Sequence, residues 1–204
     1  PTLESMVALL KTSLDRLIGS ATPVHVVGFS FGGLVAAALA AERGAVTRLA
    51  LLGPAGHGGP RRAQGELRPW QPAHARGDGV ALDDALRHNL RLQMLHGACS
   101  VDAAALCIHR EACLRTRFRS KRLSRGAALP TLLARYAGPV LLAWGEHDVT
   151  AVPDATRPLL AQRTDSSRFV VVPGAGHWVQ YEAAADINAL LLQWLNPSHP
   201  PTEI

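Results

Sequence analysis

Residues 24–33 read VHVVGFSFGG, a mostly apolar run in which a serine stands between one glycine and a pair of glycines. The apolar run Val24–Phe29 predicts a strand covered on both faces. The alanine-rich run Gly32–Arg43 predicts a helix directly after it. Residues 28–32, which join the two, match the pattern G-x-S-x-G. A turn this tight strains the backbone of its serine and lifts the hydroxyl above the strand ends. Ser30 is therefore interpreted as a nucleophile, and a purely structural turn is the alternative.

The residues next to Ser30 fit this interpretation. Gly28 and Gly32, two positions before and two after it, are small enough for neighbouring segments to pass close to the turn. Gly33 in addition allows close packing of the helix on the strand. The serine then stands at the positive end of a helix. The N–H of Phe31 is predicted to form one half of an oxyanion hole.

Strands and helices alternate on both sides of a middle segment of different character. Outside that segment we predict helices over Leu3–Ile18, Gly32–Arg43, Pro153–Arg163 and Glu182–Leu195, and strands over Val24–Phe29, Thr47–Leu52, Pro139–Trp144 and Arg168–Val172. A Pro-rich tail follows the last helix. Such alternation predicts an α/β fold with a parallel sheet flanked by helices.

The middle segment shows little strand signal. Residues 55–79 are rich in Gly, Pro and Arg and are predicted as loop. Helical patterns follow over Val80–Leu95, Val101–Arg117 and Leu129–Tyr136. We therefore predict a core of residues 1–54 and 137–204, with residues 55–136 as a helical insertion.

A serine nucleophile needs a base, and the base needs an acid to orient it. Where a G-x-S-x-G turn is catalytic, acid and base follow in that order, on loops after later strands. Asp148 follows the third predicted strand, and His177 follows the fourth. Glu146 and Asp154 are alternative acids. Glu146 comes too soon after its strand, and Asp154 stands at a helix start, where interaction with the helix dipole explains a carboxylate.

Composition limits the other classes of function. No apolar run is long enough to span a membrane, and no leader pattern opens the sequence. Three cysteines without a C-x-x-C pair predict reduced thiols, no zinc site and a cytoplasmic protein. No ligand spacing predicts a metal or another cofactor. We expect a small-molecule substrate as partner, with neither membrane nor nucleic acid, and leave a homo-oligomer open.

The net charge is +5, and it concentrates in the insertion, where 14 Lys and Arg residues accompany 6 Asp and Glu residues. A basic segment attracts an anionic substrate or nucleic acid. A solvated helix surface is the alternative. No recognised nucleic-acid module accompanies these residues.

Together these residues resemble the α/β-hydrolase fold family, in its serine-nucleophile branch. The resemblance covers the chain except the middle segment and the tail, and it implies that the insertion is a lid. Residues 176–182, GHWVQYE, are similar to the meta-cleavage-product hydrolases. These serine enzymes split a carbon–carbon bond in products of aromatic-ring degradation. Residues 144–148, WGEHD, are also common among these enzymes and their esterase relatives.

The resemblance also implies substrate-binding residues. A Trp commonly follows the catalytic His and packs beside the substrate, which makes Trp178 a candidate, with core packing as the alternative. Lids of these enzymes carry an Arg for the substrate's carboxylate, and Arg110 is the best local match. Phe29, directly before the nucleophile, is a third candidate. A serine at position 30 argues against the Asp-nucleophile branches, the haloalkane dehalogenases and epoxide hydrolases.

The chain departs from the family before its nucleophile. Members usually carry several strands and a His-Gly loop there, whereas 29 residues precede Ser30. In the family the His-Gly loop supplies the second N–H of the oxyanion hole, and loss of one such donor lowers the rate by about 10²–10³. We therefore expect Val24–Phe29 to be an exposed edge strand and the chain to be a fragment of a longer hydrolase.

Two functions remain open from the sequence. The first is a serine hydrolase with Ser30, His177 and Asp148 as its triad, acting on a carboxylic ester or on the carbon–carbon bond of a meta-cleavage product. The second is a truncated, non-catalytic member of the same fold that acts as a binding module.

Overall fold

A parallel sheet forms the centre of the computed structural model, which describes residues 2–163 and 166–196. Its strands are β1 Val24–Phe29, β2 Val46–Leu52, β3 Val140–Gly145 and β4 Arg168–Val172. They lie side by side in the order β1-β2-β3-β4, and each neighbouring pair is parallel. The predicted Pro-rich tail falls on the residues from 197 onwards, which lie outside the described part of the chain.

Helices connect and cover these strands. The α-helices are α1 Leu3–Ile18, α2 Phe31–Glu42, α3 Gln71–Ala75, α4 Gly79–Gln93, α5 Ala103–Arg115, α6 Lys121–Ser124, α7 Ala128–Ala134, α8 Val179–Glu182 and α9 Ala184–Leu195. Two 3₁₀ segments, Ala98–Ser100 and Pro153–Leu160, complete the described elements. The predicted α/β class with a parallel sheet and flanking helices is confirmed. Among the described residues, none of the helices is both long and apolar enough to cross a lipid bilayer.

The differences from the predicted elements have local causes. The segment after β3 is a 3₁₀ helix instead of an α-helix, because Pro158 has no N–H and its ring excludes the carbonyl four residues earlier. The closing helix starts at Ala184, since the backbone of Ala183 leaves the helical region and separates it from α8. The short helices α3 and α6 were not predicted.

The core lies on both faces of the sheet. Every residue of β3 is buried, and so is every residue from Gly33 to Ala40 on α2. A helix that is apolar all round is stable only when it is covered on all sides. The small alanines of α2 let it lie close to β1 and β2 on one side and to α7 on the other. This packing holds the start of α2 at the carboxyl end of β1.

One edge of the sheet is unpaired within the described residues. β1 bonds to β2 alone, and the side chain of Val27 is 44% exposed. The prediction that β1 is an edge strand is confirmed. Apolar side chains are also exposed on α1, the helix that precedes β1, and those of Leu9 and Leu17 are examples.

The residues between β2 and β3 form the helical insertion. Its helices α4 and α5 pack against each other, and they share one apolar cluster with residues of the loop after β4. That cluster contains Leu82, Leu86, Leu90, Leu95, Val101, Leu106 and Trp178. The insertion therefore covers the carboxyl ends of the strands, where Ser30, Asp148 and His177 lie.

Candidate active site

The turn that carries Ser30 is strained. Ser30 has φ 50° and ψ −121°, and it is the one non-glycine residue with positive φ among the described residues. Its N–H donates to the carbonyl of Leu52 at 2.9 Å, and its own carbonyl accepts from the N–H groups of Gly33 and Ala55, both at 2.9 Å. Such strain persists where surrounding bonds determine it. Here they hold the serine hydroxyl at the carboxyl end of the sheet.

A continuous chain of hydrogen bonds joins Ser30, His177 and Asp148. Nε2 of His177 lies 2.9 Å from Oγ of Ser30, and Nδ1 lies 2.8 Å from Oδ2 of Asp148. The carboxylate accepts only, so Nδ1 carries the imidazole proton, and Nε2 accepts from the serine hydroxyl. Asp148 and His177 are both buried, at 0% and 4% exposure. The structure thus brings together the three residues that were predicted to act together, although they are far apart in sequence.

Thr150 completes the surroundings of the acid. Its N–H donates to Oδ1 of Asp148 at 2.7 Å, and its hydroxyl lies 3.2 Å from Nδ1 of His177. Burial raises the pKa of Asp148, but the bonds and charge of His177 and the bonds from Thr150 outweigh it and bring that pKa below its ordinary value. Sequence analysis missed Thr150. Its signal was the spacing, because an Asp often bonds to the backbone two residues further on.

This lowered pKa predicts how acid affects the fold. Asp148 stabilises the protein fully above its unfolded pKa of about 3.9, and the contribution is lost as the pH falls through the lower folded pKa. We therefore expect the difference in unfolding free energy between wild type and Asp148→Asn, measured in urea, to shrink as the pH falls below about 4. A difference that stays the same from about pH 5 to about pH 2 contradicts this assignment.

Gly53, at the end of β2, is a second residue that sequence analysis missed. Its φ is +49°. A Cβ at this position would lie 3.1 Å from Oδ2 of Asp148 and 3.2 Å from Nδ1 of His177. Both the backbone conformation and the space favour glycine here. The absence of a side chain at position 53 leaves room for the bond between acid and base.

Glu146 and Asp154, the two alternative candidates for the acid, bond to groups other than the imidazole of His177. Oε2 of Glu146 accepts the N–H of Gly174 at 2.9 Å, and the Glu146 side chain is 51% exposed. Asp154 pairs with Arg157 at 2.8 Å near the start of its 3₁₀ helix. Of the three candidate acids, Asp148 is the one bonded to His177.

Phe31 lies at the first position of α2, beside the Ser30 hydroxyl. The first N–H groups of a helix have no carbonyl partner within it, so the Phe31 N–H is available to a developing negative charge. The Phe31 ring lines the cavity above Ser30 and stacks on Phe118 of the insertion at 5.3 Å between ring centroids.

The three predicted substrate-binding residues lie outside the lining of this cavity. The Phe29 ring packs against the His177 ring at 4.9 Å. Trp178 is buried in the apolar cluster under α4 and α5, as its alternative interpretation expected. Arg110 on α5 pairs with Asp83 on α4 at 2.8 Å, and both side chains are more than a third exposed. The structure therefore brings neither Trp178 nor Arg110 to the cavity.

The cavity above Ser30 has a volume of about 760 Å³. Core and insertion both line it. The core contributes Ser30, Phe31, Gly53, Val149, Thr150 and His177, and the insertion contributes Ala55, Gly59, Arg61, Arg62, Gln64, Leu67, Gln93, Met94, Ser120, Lys121, Ser124 and Arg125. Four of these residues are cationic, and none is acidic. Burial lowers the pKa of Arg61, and the neighbouring positive charge of Arg125 lowers it further.

The described part of the chain also contains His, Cys, Asp and Glu side chains outside this site. No group of three or more His, Cys, Asp or Glu side chains there could hold a metal ion. Cys99, Cys107 and Cys113 are free, and the first two are exposed.

Solved structures share this fold at low sequence identity. A meta-cleavage product hydrolase from Pseudomonas fluorescens is 19% identical with a TM-score of 0.70, over 98% of this chain and 73% of that one. An enol-lactonase from Burkholderia xenovorans is 22% identical with a TM-score of 0.69, over 96% and 74%. A thermophilic esterase from Thermogutta terrifontis is 20% identical with a TM-score of 0.64, over 98% and 74%. No curated protein sequence matches the chain.

The sequence itself matches a family model. The model describes the alpha/beta hydrolase family, and it matches residues 2–190. That match spans nearly all of the chain, including the turn at Ser30 and the loops of Asp148 and His177. It confirms the resemblance that the sequence motifs predicted. The chain belongs to the alpha/beta hydrolase family.

Proposed function

We propose that the protein is a serine hydrolase that acts on a small molecule. The observation that carries the proposal is the unbroken hydrogen-bond chain from Ser30 through His177 to Asp148, whose serine end opens into the cavity. A buried, acid-oriented imidazole on a strained serine is the arrangement that activates this nucleophile. The helical insertion then acts as the lid of the cavity.

The reaction follows from the positions of these groups. Nε2 of His177 takes the proton of the Ser30 hydroxyl while Oγ attacks the acyl carbon. The N–H of Phe31 stabilises the oxyanion. His177 then gives its proton to the leaving group, and an acyl-enzyme remains. A water that loses its proton to His177 hydrolyses this intermediate and restores Ser30. Asp148 holds the imidazole in the required tautomer and stabilises its charged form.

Two bond types suit this chemistry. One is the ester bond of a carboxylic ester. The other is the carbon–carbon bond of a meta-cleavage product. This substrate must first be ketonised, so that a carbonyl group can accept the electron pair of the bond that breaks. Support comes from the names of the solved structures with the same fold, which include an esterase and a meta-cleavage product hydrolase. The GHWVQYE stretch favours the second.

Labelling with a fluorophosphonate tests the serine mechanism. The probe phosphonylates an activated serine and releases fluoride, so intact-mass and peptide analysis should find one adduct, on Ser30. Heat-denatured protein serves as the control and should stay unlabelled. A folded protein that fails to react contradicts the proposal and favours a non-catalytic binding module.

The cations of the cavity predict a preference for anionic substrates. The lining carries Arg61, Arg62, Lys121 and Arg125 and no acidic residue, so a carboxylate on the substrate gains attraction. We expect Arg61→Gln and Arg125→Gln each to lower the ratio of kcat/KM for p-nitrophenyl hemisuccinate to that for p-nitrophenyl butyrate by roughly three- to fivefold, the size of a solvent-exposed ion pair.

The control for this experiment is Arg115→Gln. Arg115 is 82% exposed, pairs with Glu111 and lies outside the cavity lining, so its removal should leave the ratio unchanged. Added salt should reduce the preference of the wild type, because it screens exposed charges. An equal ratio in all variants at low salt is the result that rejects this preference.

A further inference from the structure

The carboxylate of Glu182 binds three backbone N–H groups from two separate parts of the chain. Oε2 accepts from Gly176 at 2.6 Å. Oε1 accepts from Gly97 at 2.7 Å and from His96 at 2.9 Å, and His96 also lies 3.1 Å from Oε2. Hydrogen bonds to an ionised carboxylate are about twice as strong as neutral ones. The side chain is half-buried at this point.

These bonds join the loop of the base to the insertion. Gly176 directly precedes His177, whereas His96 and Gly97 belong to the insertion. A further bond runs alongside, from the N–H of Trp178 to the carbonyl of Met94 at 2.8 Å, and Met94 lines the cavity. His177 is therefore held on both sides, through Gly176 before it and through Trp178 after it.

We propose that Glu182 is a positioning residue, which keeps the imidazole of His177 over Ser30 and ties its loop to the insertion. This inference rests on the proposed function, since it gives Glu182 a role in that same reaction. Glu182 does not touch the reacting atoms. It acts through the backbone of Gly176, and misplacement of a base by about 1 Å costs on the order of 10²-fold in rate.

The local geometry requires both oxygens of this side chain. A carboxylate only accepts hydrogen bonds, whereas an amide presents an NH₂ group on one side. In Glu182→Gln, one of the two ends must therefore face an N–H donor. Position 176 likewise has too little room for a side chain, because a Cβ there would lie 2.9 Å from the N atom of His96 and 3.0 Å from Oε2 of Glu182.

Kinetics of Glu182→Gln test the proposal. We expect kcat for a p-nitrophenyl ester, and the rate at which a fluorophosphonate labels Ser30, to fall together by about 10- to 100-fold, with an unchanged circular dichroism spectrum. Glu182→Asp retains the charge but is shorter by one methylene, and we expect a smaller loss. Glu146→Gln is the matched control, since Glu146 binds Gly174 in the same loop without reaching the insertion. It should stay within about twofold of wild type.

A double-mutant cycle separates positioning from a merely structural role. In the background of His177→Ala there is no imidazole to position, so Glu182→Gln should lower the residual activity no further. A structural residue would reduce activity by the same factor in both backgrounds, and that result overturns the proposal. So does a Glu182→Gln protein with wild-type kcat. If Glu182→Gln does not fold, Glu182→Asp is taken through the same cycle. Failure of the proposed function is distinct, because it does not involve Glu182: the folded wild type is not labelled, or labelling persists in Ser30→Ala.

Discussion

Replacing Ser30 with alanine is expected to lower kcat/KM for a p-nitrophenyl ester by roughly 10⁴–10⁶ without unfolding the protein. The hydroxyl bonds to Nε2 of His177 at the base of the cavity, so the substitution removes the activated oxygen that forms the acyl-enzyme. Steady-state hydrolysis, with circular dichroism as the check on folding, measures the loss. Alanine keeps the Cβ that serine already has and adds no atom that could clash, and position 30 keeps its strained φ.

Two further variants sharpen this experiment. His177→Ala should lose nearly as much as Ser30→Ala, and the double variant should lose no more than either, because the residues act as one unit. Ser13→Ala, at an exposed site on α1, is the control and should be fully active. Hydrolysis that survives in Ser30→Ala shows that another group carries the reaction.

Gly28→Ala is expected to destabilise the fold by about 3 kcal/mol or more, at the upper end of the cost of overpacking. A Cβ at this position would lie 2.5 Å from the carbonyl oxygen of Gly32, 2.6 Å from Cβ of Ala36 and 2.8 Å from Cα of Gly33. Two of these atoms are backbone at the start of α2, which cannot move without changing the turn at Ser30. Urea unfolding at neutral pH measures the loss of stability.

The other glycine of the motif is the matched control. A Cβ at Gly32 meets no described atom within 4 Å, and alanine favours helices over glycine by about 1 kcal/mol. Gly32→Ala should therefore leave the unfolding midpoint unchanged or raise it. The sequence pattern contains both glycines and does not distinguish them. In the structure, only position 28 of the two has no room for a side chain. Equal effects of the two substitutions would show that this distinction is wrong.

Much of the fold was predictable because its signals are local. The bounds of α1, β1 and β4 agree with those predicted, since each is an uninterrupted apolar or amphipathic run between turn residues. The helix predicted after β3 was wrong in type, because the effect of Pro158 on the backbone bonds outweighed the helical spacing of its neighbours. Short helices such as α6 carry too few residues for a periodic pattern.

The buried polar contacts were not predictable in the same way. Arg43 is 2% exposed, and it binds Asp15 at 2.8 Å together with the carbonyls of Gly19, Thr22 and Ala45. The bond from Arg43 is the main reason why the pKa of Asp15 lies below its ordinary value. Nothing in the residues around Arg43 distinguishes it from the many exposed arginines of this chain, because its partners come from other elements.

The sequence by itself determined the α/β alternation, the turn at Ser30 and the order of Ser30, Asp148 and His177, because each depends on residues that are neighbours along the chain. Which distant groups meet depends on how the elements pack together. This packing turned Arg110 towards Asp83, buried Trp178 under the insertion, and brought Thr150 and Glu182 to the support of His177. The physical reason is that hydrogen bonds and close packing depend on distances in space, and these are set only when strands, loops and insertion pack together.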